Sequence, residues 1–202
     1  FDDMQDIEFT IQEKKLWMLQ TRRGKRTGIA AIKIATDMVK EKLITKEVAV
    51  SRVRPHQIYE SLLKNIDPKD VENSLPISLG LPAGPGASCG IAVFTAERAE
   101  ELGKKNKKVI LVREETSPED IHGMHYSEGI LTSRGGLTSH AALVARGWGK
   151  SCVVGCQDLT IDKSHKFAKI GDKKIKEGDH ITLNGSSGDI YLGKMRSVSY
   201  TH

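Results

Sequence analysis

The sequence predicts an α/β domain preceded by a helical linker and a β-hairpin, on three observations. Residues 6–21 alternate apolar and polar side chains at a period of two, residues 27–63 carry apolar residues at helical spacing, and beyond residue 77 short apolar runs alternate with helical stretches and glycine turns. The 202 residues, 22.2 kDa, accommodate one ordinary domain with an arm. A unit of that size buries roughly 70% of its unfolded surface and needs no disulfide or metal staple. Hydrophobic residues at 38% and charged residues at 28% exclude a disordered or membrane-spanning class. No apolar run approaches the roughly 20 residues that span a bilayer, and Phe1-Asp2-Asp3 is no signal peptide. Without an initial Met, the chain reads as a piece of something longer.

The elements follow in order. Ile7, Phe9 and Ile11 alternate with Asp6, Glu8 and Thr10, and Trp17-Met18-Leu19 returns after a polar turn expected at Glu13-Lys14-Lys15, a register that sets Glu8 opposite Gln20 and Asp6 opposite Arg22. A hairpin alone is marginal in water, so this one reads as the edge of a neighbouring sheet. Residues 27–42 form a helix through Ile29, Ile32, Ala35 and Met38. Thr45 caps a second helix and Pro55 opens a third, and the helical linker lasts to about residue 74. Gly80, Pro82, Gly84, Pro85, Gly86 and Gly90 mark tight turns at a domain entrance. A strand at 91–94, a helix from Thr95 to about Gly103, a strand at 109–112, a helix start at Ser117-Pro118-Glu119-Asp120 and a short strand at 129–131 then lead into Arg134-Gly135-Gly136 and another helix. Short strands and turns complete a domain at about 77–195.

The charge balance, 31 Lys and Arg against 26 Asp and Glu, gives a net +5. Only 5% of residues are aromatic, and the densest basic run, Lys104-Lys105-Asn106-Lys107-Lys108, sits at a helix carboxyl end where it complements the dipole. This pattern argues against nucleic acid as a partner. Cys89, Cys152 and Cys156, an odd count without a Cys-x-x-Cys, read as reduced and mostly buried thiols of a cytosolic-type compartment.

The chemistry concentrates in Arg134-Gly135-Gly136-Leu137-Thr138-Ser139-His140-Ala141-Ala142-Leu143-Val144-Ala145-Arg146-Gly147. Two glycines free the backbone after a strand, Thr138 or Ser139 can cap the helix, and His140 lands in its first turn. Outward-pointing amides and the positive dipole end make such a terminus an anion site; they disfavour an imidazolium there and favour a phosphorylated imidazole. Ala141, Ala142 and Ala145 let the helix pack closely beneath an exposed tip. The alternative is a glycine turn carrying an inert surface histidine.

This segment, continuing through Trp148-Gly149-Lys150-Ser151-Cys152-Val153-Val154-Gly155-Cys156, resembles the phosphohistidine domain of pyruvate, phosphate dikinases. The resemblance extends to Val112-Arg113-Glu114-Glu115-Thr116-Ser117-Pro118-Glu119-Asp120, to Asp6-Ile7-Glu8-Phe9-Thr10, to Leu19-Gln20-Thr21-Arg22 and to Gly24-Lys25-Arg26-Thr27. It covers nearly the whole chain, with the motifs in the family's order.

The resemblance implies a swivelling β/β/α phosphohistidine domain at 77–195, a helical linker at 24–76, the last hairpin of an ATP-grasp nucleotide-binding domain at 1–23, and a linker at 196–202 toward a PEP/pyruvate barrel domain. In this family the ATP-grasp domain charges the histidine from ATP and phosphate, releasing AMP and pyrophosphate, and the carrier then swings to the barrel and converts pyruvate to phosphoenolpyruvate. His140 matches the phosphorylated histidine and Thr138 the threonine that plant members phosphorylate, with Ser139 and Gly136 beside the phosphate. Asp6, Glu8, Gln20 and Arg22 match positions lining the ATP site, a partial site here. Magnesium is implied for the whole enzyme, mostly through domains with no counterpart in this chain, and no metal site is implied in the carrier. The implied partners are the ATP-grasp and barrel domains, ATP, phosphate and pyruvate, in a cytoplasmic homodimer or, in a eukaryote, a plastid or glycosome, with no nucleic acid and no membrane. Leu137 stands where Met is usual, a volume-conserving change. Lys14 stands where the hairpin turn expects glycine, so a left-handed conformation there costs about 1 kcal/mol.

The rival enzyme readings are a phosphoenolpyruvate synthase and enzyme I of the sugar phosphotransferase system, and the rival outside enzymes is a stand-alone phosphocarrier module. His122 and His125 share one helix side at i, i+3 without a third ligand near in sequence, and a solvated or packing role is expected. Trp148 is expected as a lid over the core, and Cys152 and Cys156 as core thiols. Arg134 and Arg146 either steer phosphate or dock partner domains. A carrier serving two sites needs tethers that bend, and the expected hinges are residues 76–90 and 196–202, with a rigid entrance turn as the equal alternative for 76–90.

Overall fold

The computed structural model describes residues 3–24, 26–162, 164 and 166–198, and the chain divides into two compact units, residues 1–62 and 63–200. In the first, β1 (Gln5–Gln12) and β2 (Lys15–Arg23) pair antiparallel with Asp6 opposite Arg22 and Glu8 opposite Gln20, and a bulge follows Glu8. The turn is Glu13-Lys14 alone, at φ 53 and 63°; Lys15 already belongs to β2. Two consecutive left-handed residues twist a two-residue turn to match the strands, and here they do so without glycine. Helices α1 (Gly28–Lys40), α2 (Lys46–Arg52) and α3 (Pro55–Leu62) follow, α1 capped by Thr27 and α2 by Thr45, whose hydroxyls accept the N–H groups of Ala30 and Val48.

The second unit opens with β3 (Asn65–Ile66) and α4 (Pro68–Glu72), both in the stretch that the sequence reads as linker. Strands β4 (Ser78–Leu79), β5 (Leu81–Gly84), β6 (Ala87–Val93), β7 (Val109–Arg113), β8 (Gly129–Thr132) and β9 (Ser151–Val154) come next, with α5 (Ala96–Lys104), α6 (Ile121–Tyr126, after a 3-10 turn at Pro118–Asp120) and α7 (His140–Gly147) between them. A small antiparallel sheet of β10 (Leu159–Ile161), β11 (Phe167–Ile170) and β12 (Lys173–Lys176) follows, then β13 (His180–Asn184), β14 (Asp189–Leu192) and β15 (Ser197–Val198).

The main sheet runs β4-β14-β13-β6-β7-β8-β9-β5, with β6 to β9 parallel. Its two edge strands are separated only by Gly80, so residues 78–84 pair with β14 at one end and with β9 at the other and close the sheet on itself. Gly80 donates its N–H to Gly188 O at 2.9 Å, and a Cβ there would stand 2.5 Å from Val153 Cγ1 and 2.9 Å from Val154 O. Glycine is what lets the chain cross this seam. Residues 76–90, expected as a hinge, are thus built into the sheet by main-chain hydrogen bonds, as a rigid entrance would be.

The inward face holds Ala92, Phe94, Ile110, Val112, Leu131 and Val153, packed with Leu159, Ile161, Ala168, Ile170 and Ile175 of the small sheet. The outward face sets Val93, Val109, Leu111, Ile130 and Cys152 against Ala99 and Leu102 of α5, Met124 of α6 and Ala141, Ala142 and Ala145 of α7. The layers are therefore small sheet, closed sheet, helices, a mixed α/β unit. Arg196–Val198, expected as linker, belong to this unit as well: Ser197 and Val198 pair with β3, and Arg196 is hydrogen-bonded to Asp70 through its main-chain N–H at 2.7 Å and its guanidinium. Residues 199–202 of that expected linker lie outside the described residues. Among the described residues no helix is long and apolar enough to cross a membrane.

Candidate functional site

The carboxyl ends of β7 and β8 are neighbours in the parallel sheet, and two loops leaving them meet over α7. The loop after β8 turns at Gly135, whose φ of 101° suits glycine and where a Cβ would meet Ser139 Cβ at 2.9 Å. Thr132 donates its hydroxyl to Arg134 O at 2.7 Å, Arg134 N–H donates to Glu114 O at 2.8 Å, and Arg146 reaches back along α7 to Leu137 O. Of the two arginines left open by the sequence, Arg146 holds the loop and Arg134 forms an exposed pair with Glu114 at 3.8 Å.

Ser139 is the cap of α7, accepting Ala142 N–H at 3.4 Å, and Thr138 is not. Thr138 is exposed and has no hydrogen-bond partner among the described residues. The N–H groups of His140 and Ala141 likewise have none, so two first-turn donors remain for an anion. His140 is half-buried in this first turn, above Ala141, which is 1% exposed.

A residue that the sequence reading did not single out completes the site. Thr116 Oγ1 lies 3.1 Å from His140 Nδ1. The threonine is 9% exposed, and its loop is fixed by a capping box in which Asp120 accepts the N–H of Ser117 at 2.9 Å, while Arg113 pairs with Asp120 at 3.3 Å and donates to Phe94 O at 3.2 Å. The available signal was positional: a threonine in the loop that leaves the carboxyl end of one parallel strand lies near the loop that leaves the next.

The expected nucleotide residues form a separate group in the first unit. Asp6, Glu8, Gln20 and Arg22 occupy facing positions of the hairpin before the bulge, and Arg22 Nε pairs with Asp6 at 3.3 Å, both side chains exposed. His122 approaches Glu100 at 3.9 Å, and His125 packs edge-on against Trp148 and Tyr126. Trp148 is 40% exposed and closes the end of α7 rather than covering the core. Cys152 and Cys156 are buried, and burial pushes the Cys152 thiol up to about 12, which keeps it protonated and unreactive.

Residues 105–188, which include His140 at the start of α7, match the family described as PEP-utilising enzyme, mobile domain. The relatives are more particular. The chain is 54% identical over 96% of its length to pyruvate, phosphate dikinase 1, chloroplastic, of Arabidopsis thaliana, 52% identical over 96% to pyruvate, phosphate dikinase 2 of Zea mays, and 56% identical over 98% to pyruvate, phosphate dikinase of Rickettsia felis. It is thus a relative of the pyruvate, phosphate dikinases along nearly all of its own length, and it spans 20 to 22% of theirs. A solution structure of Enzyme I overlaps 42% of this chain and 30% of that one with a TM-score of 0.31 and 24% identity, too slight an overlap to inform the fold.

Proposed function

We propose that this chain is the phosphoryl-carrier region of a pyruvate, phosphate dikinase, with Nε2 of His140 as the atom that bears the phosphoryl group. The hydrogen bond between Thr116 Oγ1 and His140 Nδ1 carries the reading. The reactive tautomer in this reading is the one in which Nδ1 carries the proton and donates it to Thr116, leaving Nε2 a free lone pair, and Nε2 has no partner among the described residues. That lone pair attacks the donor phosphorus, forming an N–P bond as a P–O bond of the ATP-derived donor breaks. In the second half the enolate oxygen of pyruvate attacks phosphorus, the N–P bond breaks, and its electron pair returns to Nε2. The first-turn N–H groups of His140 and Ala141, with Gly136 and Ser139 shaping the turn, offer donors to the phosphoryl oxygens.

The full cycle, from ATP, phosphate and pyruvate to AMP, pyrophosphate and phosphoenolpyruvate, then needs the ATP-grasp and barrel domains as partners. In this reading residues 1–23 are the ATP-grasp hairpin bearing Asp6, Glu8, Gln20 and Arg22, residues 24–76 are linker, 77–195 the swivelling carrier and 196–202 the lead toward the barrel. The relatives' names favour the dikinase over the synthase, enzyme I and stand-alone carrier readings. The homodimer and the cytoplasmic or plastid setting belong to the same proposal, the plastid in keeping with chloroplastic relatives. Magnesium in this reading is held mostly by the other domains of the enzyme; among the described residues no group of three or more His, Cys, Asp or Glu is placed to hold a metal ion, and Asp6 is paired with Arg22.

The test is to mix the chain with an ATP-grasp domain of a dikinase, labelled ATP and phosphate. The expected product is an acid-labile, base-stable adduct that disappears in His140→Asn. Label that persists in His140→Asn, or no label in the parent chain, overturns the assignment.

A further inference from the structure

The parallel strands have a second end. At their amino termini, away from the Gly135–His140 loop, the second unit carries a cleft of about 610 Å3 that the chemistry above does not use. Lys64, Lys107, Lys108 and Lys194 line it, all exposed, and none has an ion-pair partner among the described residues. Glu128 is the only carboxylate lining it among the described residues, and Arg196 at its rim is engaged with Asp70 and Asp67. Four ammonium groups around one concavity repel one another, and an anion placed among them gains from every one.

Two uncharged donors belong to the same cleft. Along β6 the odd-numbered N–H groups point away from β13: that of Ala87 donates to Lys64 O at 2.7 Å and that of Ile91 to Lys108 O at 2.9 Å. Cys89 lies midway between them, so its N–H points to the same side, where no acceptor meets it among the described residues. Ser88 also lines the cleft. It is 8% exposed, and its hydroxyl is buried without a hydrogen-bond partner. A buried donor without a partner, as the Ser88 hydroxyl is, is rare in folded proteins and points to a partner not yet in place.

We infer that this cleft binds a compact oligophosphate, an anion carrying at least two phosphate groups. The volume lies within the roughly 300–1,000 Å3 range of small-molecule sites and exceeds what one phosphate fills. Four lysines match the charge of a di- or triphosphate, and the Cys89 N–H and Ser88 hydroxyl supply neutral donors to its oxygens. An acidic protein face would meet the exposed ammonium groups but would not reach the buried hydroxyl.

The inference is independent of His140 phosphorylation, and its test reads binding alone. Calorimetric titration of the whole chain uses inorganic tripolyphosphate, with orthophosphate and poly-glutamate as comparisons. One equivalent of tripolyphosphate is expected, bound roughly tenfold or more tighter than orthophosphate. The double variant Lys107→Ala/Lys194→Ala, both side chains exposed, is expected to keep the parent melting temperature and to weaken binding by about tenfold or more. Ser88→Ala is expected to weaken it less, and His140→Asn to leave it unchanged. The inference is overturned by an absence of tripolyphosphate binding, by binding that the double lysine variant does not alter, by binding lost in His140→Asn, or by tight binding of poly-glutamate alone.

Discussion

Thr116 Oγ1 stands 3.1 Å from Nδ1 of His140, joining the loop after β7 to the first turn of the helix that follows β8. The contact depends on the parallel pairing of the two strands, Leu111 opposite Ile130 and Arg113 opposite Thr132, which brings loops more than 20 residues apart in sequence to one place. Removing the hydroxyl while keeping the shape, Thr116→Val, is expected to slow charging of His140 by roughly two- to tenfold, the range for one lost neutral hydrogen bond. Thr116→Ser is expected to restore most of the rate. Single-turnover labelling of the full-length enzyme checks both, and equal charging in the valine variant counts against a positioning role.

Thr138 is expected to act as an off-switch when it carries negative charge. It lies two residues before His140, is exposed, and leaves capping to Ser139, so a charge there has no structural task to disturb. A phosphate of about −1.5 to −2 charge would occupy the anion site at the start of α7 and repel incoming phosphoryl groups. Thr138→Asp should melt like the parent yet lose labelling at His140, while Thr138→Ser keeps it. Near-normal labelling of the aspartate variant removes the electrostatic role.

The seam of the closed sheet should tolerate little added volume. Gly80→Val places atoms against Val153 and the Val154 carbonyl and is expected to cost about 2 kcal/mol or more, a fall in melting temperature of roughly 5 °C or more. Gly147→Ala, where a Cβ meets nothing within 4 Å, is the matched control and should be neutral. Calorimetry on the two variants separates a packing effect from a general intolerance of glycine replacement.

The first unit should lose stability in acid through Asp3. Hydrogen bonds from Arg26 hold the Asp3 carboxyl down at about 2, against its ordinary 3.8. Because the folded value is the lower one, the stabilisation is complete above about pH 4 and is lost as the pH falls through the folded value near 2. Hydrogen exchange in residues 3–62 should therefore accelerate between those values, and Asp3→Asn should flatten the profile. An unchanged profile in the variant assigns the acid sensitivity to another group.

Local interactions made much of this molecule legible. Period-two alternation gave the hairpin, Thr45 and Pro55 marked helix starts, and Gly-Gly before Thr-Ser-His marked the loop and the helix it opens. Each depends on residues a few positions apart, whose conformational preferences and capping hydrogen bonds are written in consecutive letters. The hairpin turn is one residue shorter than the sequence suggests because Glu13 and Lys14 both accept left-handed conformations, and Asp6 still faces Arg22 because the bulge after Glu8 makes up the difference.

Tertiary structure decided what depends on residues far apart. The glycine- and proline-rich stretch at 76–90 has the composition of a hinge, but its backbone groups find partners on β9, β13 and β14, and pairing turns it into the strands that close the sheet. Arg196 reads as part of a polar tail until Asp70, 126 residues away, captures it. Thr116 looks like one more loop threonine until parallel pairing sets it against His140. The sequence by itself determined which histidine stands at a helix start with donors around it; the fold decided which hydroxyl holds its other nitrogen, because only strand pairing sets the distance between two loops that share no local signal.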